Sequence, residues 1–475
     1  MMATTSDPGG TASVTAAVRE GEYGAKVTVV EPGGAEFIPL ADRHGTPLAL
    51  FWTWMSPNLE FATVYVGVLG VLAFHQTLGQ AALAIVLGSA LGSLSHGVLG
   101  ARGPGLGVPQ MILSRIPFGF RGNAFPAALN AVTAGIGWFA VNSVSGALAL
   151  NTLLGLPKVI CLLVVVAAQI AIAFFGHNLV HAFERIAFPL LAVAFVLAAV
   201  VIFPKMHSSA APGGGGLGGF LITLGAAFGY AAGWNPYASD YTRYFSPETS
   251  KRATALWGGL GVLVSCVVLE LLGAASATLV APQGSSPTSA FTHPMPTVIA
   301  DLVLLAIALG AVSANAINVY SGTMSFLALG FDLPLALRRA IVAAGFGTLG
   351  FVVALFALDD VSTYEDFLLV IAYWIGPWLG VYFTDQWLRR GHHVEGYLFD
   401  RRHNPWAGWV SMLVAMVLSV WLFSNQQKYT GVVPSANASF GDIAFEVGFL
   451  LAGGLYWVLF RLQRTEPDEL LVIPD

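Results

Sequence analysis

The chain has 475 residues, 56% of them hydrophobic and only 10% charged, with a mean hydropathy of +0.72 and a net charge of −5. Soluble domains carry about 25% charged residues, so a soluble enzyme or binding module is excluded and an integral membrane protein is expected. The small, diffuse net charge points away from nucleic acid, and Cys161 and Cys266, both in apolar runs, exclude a disulfide framework.

In chain order, residues 1–46 are rich in glycine, threonine and alanine and have no apolar core. They read as a flexible cytoplasmic tail, not a signal peptide. A spanning helix needs about 20 mostly apolar residues. Twelve segments meet that rule, near 48–72, 81–99, 124–153, 159–175, 183–203, 219–239, 253–279, 298–327, 335–356, 364–387, 406–423 and 441–460. A glycine-rich hinge, 210–219, precedes the sixth. With the N-terminus inside, eighteen Lys and Arg residues fall on the cytoplasmic side, and only Lys158, Lys205 and Lys428 fall outside. That bias fixes both termini in the cytoplasm.

Two segments carry breaks inside apolar sequence. The first contains Trp54-Met-Ser-Pro-Asn-Leu-Glu60, with Pro57 near mid-membrane, and the sixth contains Gly233-Trp-Asn-Pro236. Proline lacks a backbone donor and opposes the preceding turn. Freed backbone groups in hydrocarbon are tolerated only where protein or a hydrated cavity surrounds them. Matched breaks at positions one and six predict two five-helix repeats of inverted topology, residues 47–203 and 204–388. A helix pair at 389–462 and a cytoplasmic tail at 463–475 follow. The plainer alternative is two ordinary proline kinks.

Three further segments bear polar groups, which are costly against lipid and so should face inward. Trp138 and Asn142 lie four apart on one face of the third. A ring with an amide one turn away can read a planar heterocycle from face and edge. Asn315 and Asn318 lie one turn apart on the eighth, where helix-to-helix bonding is the alternative. Glu184, at the cytoplasmic start of the fifth, is next to Arg185, which could simply neutralise it. Asp240 and Arg243 read as an exposed structural pair or latch, contributing under about 1 kcal/mol. Glu270 and Glu446 read as acids near the outer portions of their helices that pair or reach water. No metal-ligand spacing, nucleophile elbow or phosphate loop is present. A membrane enzyme lacks a convergent catalytic set, and a channel lacks a ring of like groups. A transporter remains.

The stretch Gly107-Val-Pro-Gln-Met-Ile-Leu-Ser-Arg-Ile-Pro-Phe-Gly-Phe-Arg-Gly122 resembles the loop after the second helix of the nucleobase–cation symporter-1 family, in its purine–cytosine permease branch. Gly233-Trp-Asn-Pro-Tyr-Ala-Ser-Asp-Tyr-Thr-Arg-Tyr244 is similar to the branch's sixth-helix motif, and Asn315-Ala-Ile-Asn-Val-Tyr-Ser321 to its eighth. Phe183-Glu-Arg-Ile-Ala-Phe-Pro189, Gly376-Pro377 and Asp385 also fit, and the likeness runs from about Phe37 to Gln463. The resemblance implies an all-α, twelve-helix, LeuT-like transporter, five plus five inverted helices with two appended. It also implies import of a nucleobase, cytosine or purine, with a co-transported cation across the plasma (inner) membrane. The base would stack between Trp138 and Trp234, with Asn142, Asn235, Asn318, Asn315 and Ser56 reading its edge. Glu184 matches an acid the branch uses for activity. Sodium-coupled relatives place two adjacent hydroxyls on the eighth helix, whereas here Ser313 is followed by Ala314. One oxygen fewer favours a proton over sodium, with Ser313 the remaining sodium candidate. No cofactor, metal, nucleic acid or obligatory protein partner is implied. The alternative substrate is a related heterocycle: allantoin, hydantoin, uracil or a pyridine vitamin.

Overall fold

The computed structural model describes residues 34–175, 177–208, 214–279, 281–282, 284–330, 335–358 and 363–463, and two short paired strands, Val14–Thr15 and Leu471–Val472. Within the helices, the side chains of 173–186 and 331–343 lie outside the described residues, and with them that of Glu184.

The molecule is helical throughout its apolar sequence. The main elements are α1 (Pro47–Met55), α2 (Phe61–Leu72), α3 (Leu78–Gly100), α4 (Ala124–Leu154), α5 (Lys158–Phe175), α6 (His177–Ile202) and α7 (Gly216–Ala232). They continue as α8 (Ala238–Thr242), α9 (Lys251–Ser276), α10 (Thr297–Ala328), α11 (Leu335–Ala357), α12 (Thr363–Leu388), α13 (Ala407–Phe423) and α14 (Ala444–Phe460). Among the described residues, seven helical runs are long and apolar enough to cross a membrane, or eight with the bent α1–α2 pair. Four shorter apolar helices, Lys158–Ile172, Ala344–Ala357, Ala407–Phe423 and Ala444–Phe460, accompany them.

Local chemistry sets the ends. Thr77 and Gln80 form a reciprocal capping box at the start of α3. Ser250 caps α9, and Gly155, at φ +66°, closes α4 in the left-handed conformation glycine favours. Small residues then let backbones approach, as is common between membrane helices. A Cβ added at Gly67 of α2 would fall 1.7 Å from the Glu270 carbonyl oxygen of α9, and one at Gly273 would fall 1.7 Å from that of Val64. Gly88 and Gly92 of α3 seat α7 in the same way.

At one end of the molecule the connecting segments interlock. Arg43 donates to the Pro104 and Ile38 carbonyls, Arg115 to those of Leu398 and Ala328, and Arg243 to that of Gly34. Phe37 and Ile38 are buried, so within the tail expected through residue 46 the stretch 34–38 is packed against the body, while residues 44–46 are exposed. Asp240 and Arg243 are also buried, correcting the exposed pair expected from their spacing. The Gln110 backbone N–H donates to Asp240, and Arg243 reaches the Tyr244 and Tyr320 hydroxyls. Glu270 is fully buried and accepts from Ser89, so it is not an acid at a watery helix end.

Candidate functional site

Both proline breaks are present and lie side by side. After Met55 the chain forms one tight turn, Ser56–Asn58, and Glu60, in extended conformation, caps α2 by accepting from the Ala62 N–H at 3.0 Å. The α1 and α2 axes bend by 65°. In the other break a second tight turn, Asn235–Tyr237, separates α7 from α8. Groups freed by these breaks find partners at once, as buried backbone must. The Asn58 carbonyl accepts from Thr63 Oγ1 at 2.6 Å, and the Trp234 carbonyl meets His96 Nδ1 at 3.1 Å. A carbonyl cannot donate, so that histidine nitrogen carries the proton.

One bond ties the breaks together. Trp234 Nε1 donates to Asn58 Oδ1 at 2.8 Å, while Asn58 Nδ2 donates to the Trp54 carbonyl at 2.8 Å. Beside them, Tyr230 of α7 contacts both Thr63 Oγ1, through a very short hydrogen bond, and Glu60 Oε1 at 3.2 Å.

On the facing side, α4 contains a π-helical turn, Thr133–Trp138, a local irregularity frequent at functional sites. It delivers Trp138 edge-on to Tyr230, with ring centroids 5.3 Å apart, and to Phe367, at 5.2 Å. The indole nitrogen of Trp138 would lie 3.2 Å from a Cβ on Gly233, so only the bare backbone there admits the ring so close to Trp234. Both indoles are 6% exposed.

The amides form a belt between α4 and α10. Asn142 Nδ2 and Asn318 Nδ2 both donate to Asn315 Oδ1, at 3.0 and 3.3 Å, and Asn315 Nδ2 donates to the Phe139 carbonyl at 2.8 Å. Ser143, held by Gln169 of α5, supports the belt from behind. Tyr237, from the sixth-segment break, donates to Asn318 Oδ1 at 3.3 Å and so joins belt to break.

The expected residues thus divide. Trp138, Asn142, Trp234, Asn315 and Asn318 are drawn around the two breaks. Asn315 has its amide engaged on both sides. Asn235 turns away from the belt and donates to Ser95 of α3 at 2.6 Å. Ser56 is buried in the first break, and its hydroxyl has no partner among the described residues. Ser313 is buried one turn along α10 from Gly310, where a Cβ would lie 2.5 Å from the Leu59 carbonyl oxygen, so this side of α10 meets the first break. Asn58, Glu60, Tyr230, Tyr237 and His96 were not named as site residues. Asn58 and Glu60 were legible as polar groups within the broken segment; the tyrosines and the histidine carried no signal apart from ordinary helix packing.

Toward the end opposite the interlocked arginines, an apolar cavity of about 240 Å³ is lined by Phe61, Tyr65, Leu148, Tyr364 and Phe367 among others. Tyr364 and Phe367 are also ring neighbours of Trp138, so they separate the cavity from the indoles. Among the described residues, no group of three or more His, Cys, Asp or Glu side chains could hold a metal ion.

A helical membrane body with two adjacent helix breaks, enclosing rings and amides, defines a membrane transporter and not an enzyme. Residues 37–448 match the family described as permeases for cytosine/purines, uracil, thiamine and allantoin, and the chain belongs to that family, the nucleobase–cation symporter-1 family of purine–cytosine permeases. YxlA of Bacillus subtilis, a purine-cytosine permease by name, is 28% identical over 452 residues, covering 91% of this chain and 96% of that one. The purine-cytosine permease fcyB of Emericella nidulans is 27% identical over 457 residues, covering 90% and 88%. Mhp1, a nucleobase-cation-symport-1 family transporter solved in a closed conformation with bromovinylhydantoin bound, shares the fold. Its TM-score is 0.71 at 19% identity, covering 91% of this chain and 95% of Mhp1.

Proposed function

We propose that this chain imports a nucleobase, cytosine or a purine, by symport with a cation, through alternating access about the two helix breaks. The supporting observation is the amide belt joined through Tyr237 to the break that carries Trp234, with Asn142 Oδ1 buried and without a partner among the described residues. Buried polar atoms are nearly always hydrogen-bonded, so an open acceptor one helical turn from Trp138 suits the donor edge of a flat base. In this reading the base stacks between Trp138 and Trp234. Asn142 and Asn318 read its edge, Asn315 holds those two in register, Ser56 adds a polar group from the first break, and Asn235, its amide committed to Ser95, offers only its open Oδ1.

The twelve helices form two inverted repeats of five and an appended pair, in the plasma membrane, with both termini cytoplasmic. The apolar cavity then serves as the outer vestibule. Coupling is to a proton in preference to sodium, with Glu184 as an exchanging acid and Ser313 as the sodium ligand to test if protons are excluded.

The related-heterocycle reading is kept because the family's description extends to uracil, thiamine and allantoin. Uptake of labelled cytosine, measured in a host lacking its own nucleobase permeases against a panel of unlabelled competitors, separates the two. Competition by adenine, cytosine or guanine is expected. Competition by allantoin or a hydantoin, with none from any nucleobase, overturns the proposal.

A further inference from the structure

Glu60 is a buried acid at the first break, 1% exposed, with no cationic partner among the described residues. Its Oε2 is occupied by the Ala62 N–H, which leaves Oε1 facing the Tyr230 hydroxyl. From there a chain of contacts runs Glu60 to Tyr230, Tyr230 to Thr63, and Thr63 to the Asn58 carbonyl. Three hydrogen-bond links require three protons. Each hydroxyl supplies one and the carbonyl supplies none. A protonated Glu60 supplies the third. In that state the carboxylic acid O–H donates to Tyr230, Tyr230 to Thr63, and Thr63 to the Asn58 carbonyl; in the charged state Tyr230 donates to Glu60 Oε1 instead.

We propose that Glu60 holds the co-transported proton inside the membrane, with Glu184 exchanging protons at the cytoplasmic edge, and that this chain transmits the protonation state of Glu60 to the substrate site, since the side chain of Asn58, whose carbonyl ends the chain, accepts from Trp234. This rests on the reading of the protein as a proton-coupled nucleobase transporter. When Glu60 loses its proton to water, the Tyr230 hydroxyl turns to the carboxylate and its link to Thr63 is given up. The charge left behind is met by the Phe61, Ala62 and Thr63 backbone N–H groups at the start of α2 and by Tyr230, with no cationic side chain facing it among the described residues. The titratable groups around it are Tyr230 of α7, Tyr364 of α12, whose hydroxyl is committed to the Ala62 carbonyl at 3.0 Å, and Cys266 and Glu270 of α9. Gly310 of α10, packed against Glu60, adds no charge. An isolated carboxylate is costly inside a membrane, so deprotonation requires the site to admit water. Opening on one side of the membrane is thereby linked to proton release there.

Purified protein in proteoliposomes tests this with a substrate-free and a substrate-dependent measurement. Infrared difference spectra taken on raising the pH should show loss of a protonated-carboxyl C=O band that Glu60→Gln lacks and Tyr230→Phe shifts. Labelled cytosine should bind wild type more weakly as the pH rises, approaching tenfold per unit for one linked proton. It should bind Glu60→Gln, whose amide can still donate to Tyr230, with unchanged affinity across the same range. Glu60→Gln should exchange cytosine across the membrane but not concentrate it. A carboxyl band identical in wild type and both variants overturns the proposal, as does proton-driven accumulation by Glu60→Gln. If wild type binds no nucleobase at any pH the substrate reading fails instead, and the infrared result still decides the role of Glu60.

Discussion

Trp234 has two roles in the proposed site: its ring would stack on the base, and its N–H anchors the opposite break through Asn58. Base–aromatic stacking contributes about 1–3 kcal/mol per base, so Trp234→Ala should weaken cytosine binding by about one to two decades. Trp234→Phe keeps a ring and loses only the bond to Asn58, so it should weaken binding less. Equal affinities for wild type and alanine variant, measured by equilibrium binding, would exclude stacking. Asn142 has an open acceptor whereas Asn315 is saturated, which separates their expected phenotypes. Asn142→Ala should reorder preference among cytosine, adenine and hypoxanthine in competition assays while protein abundance holds. Asn315→Ala should lower abundance, because it strands the amides of Asn142 and Asn318.

Among elements, the α2–α9 contact is the most tightly specified. Gly67 and Gly273 each meet a carbonyl of the other helix where no side chain fits. Overpacking costs about 1–3 kcal/mol where neighbours can shift, and backbone shifts less readily than side chains. Gly67→Ala should therefore lower the melting temperature of the purified protein and its monodisperse yield. An unchanged melting curve would show that the helices separate easily. This contact also lies along α2 from Glu60, so the cap of α2 is held on a rigid support.

For the whole molecule, the interlocked end carries the arginines and the apolar cavity lies opposite. Side-sensitive reporters should place both termini and the 389–402 loop in the cytoplasm, and an outside signal at either terminus would break the inverted-repeat assignment. Uptake should collapse when the proton gradient is dissipated and survive replacement of sodium by choline. The reverse pattern would turn attention to Ser313.

Much of this was legible in one dimension because the membrane leaves few choices. Hydrocarbon forbids unsatisfied backbone, so apolar runs had to be helices, and a proline beside polar residues pointed to a break, with an ordinary kink as the alternative. Trp138, Asn142, Trp234 and Asn318 stood out because polar and aromatic groups are conspicuous against such a background. Only the tertiary structure decided which of these groups meet. The sequence could not show that Asn235 turns to Ser95, that Asp240 and Arg243 are buried, or that residues 34–38 pack against the body. Nor could it pair Tyr230 with Glu60, 170 residues apart. Helical periodicity reports neighbours within one helix, and hydrogen bonds between helices depend on rotation and depth, which packing alone sets.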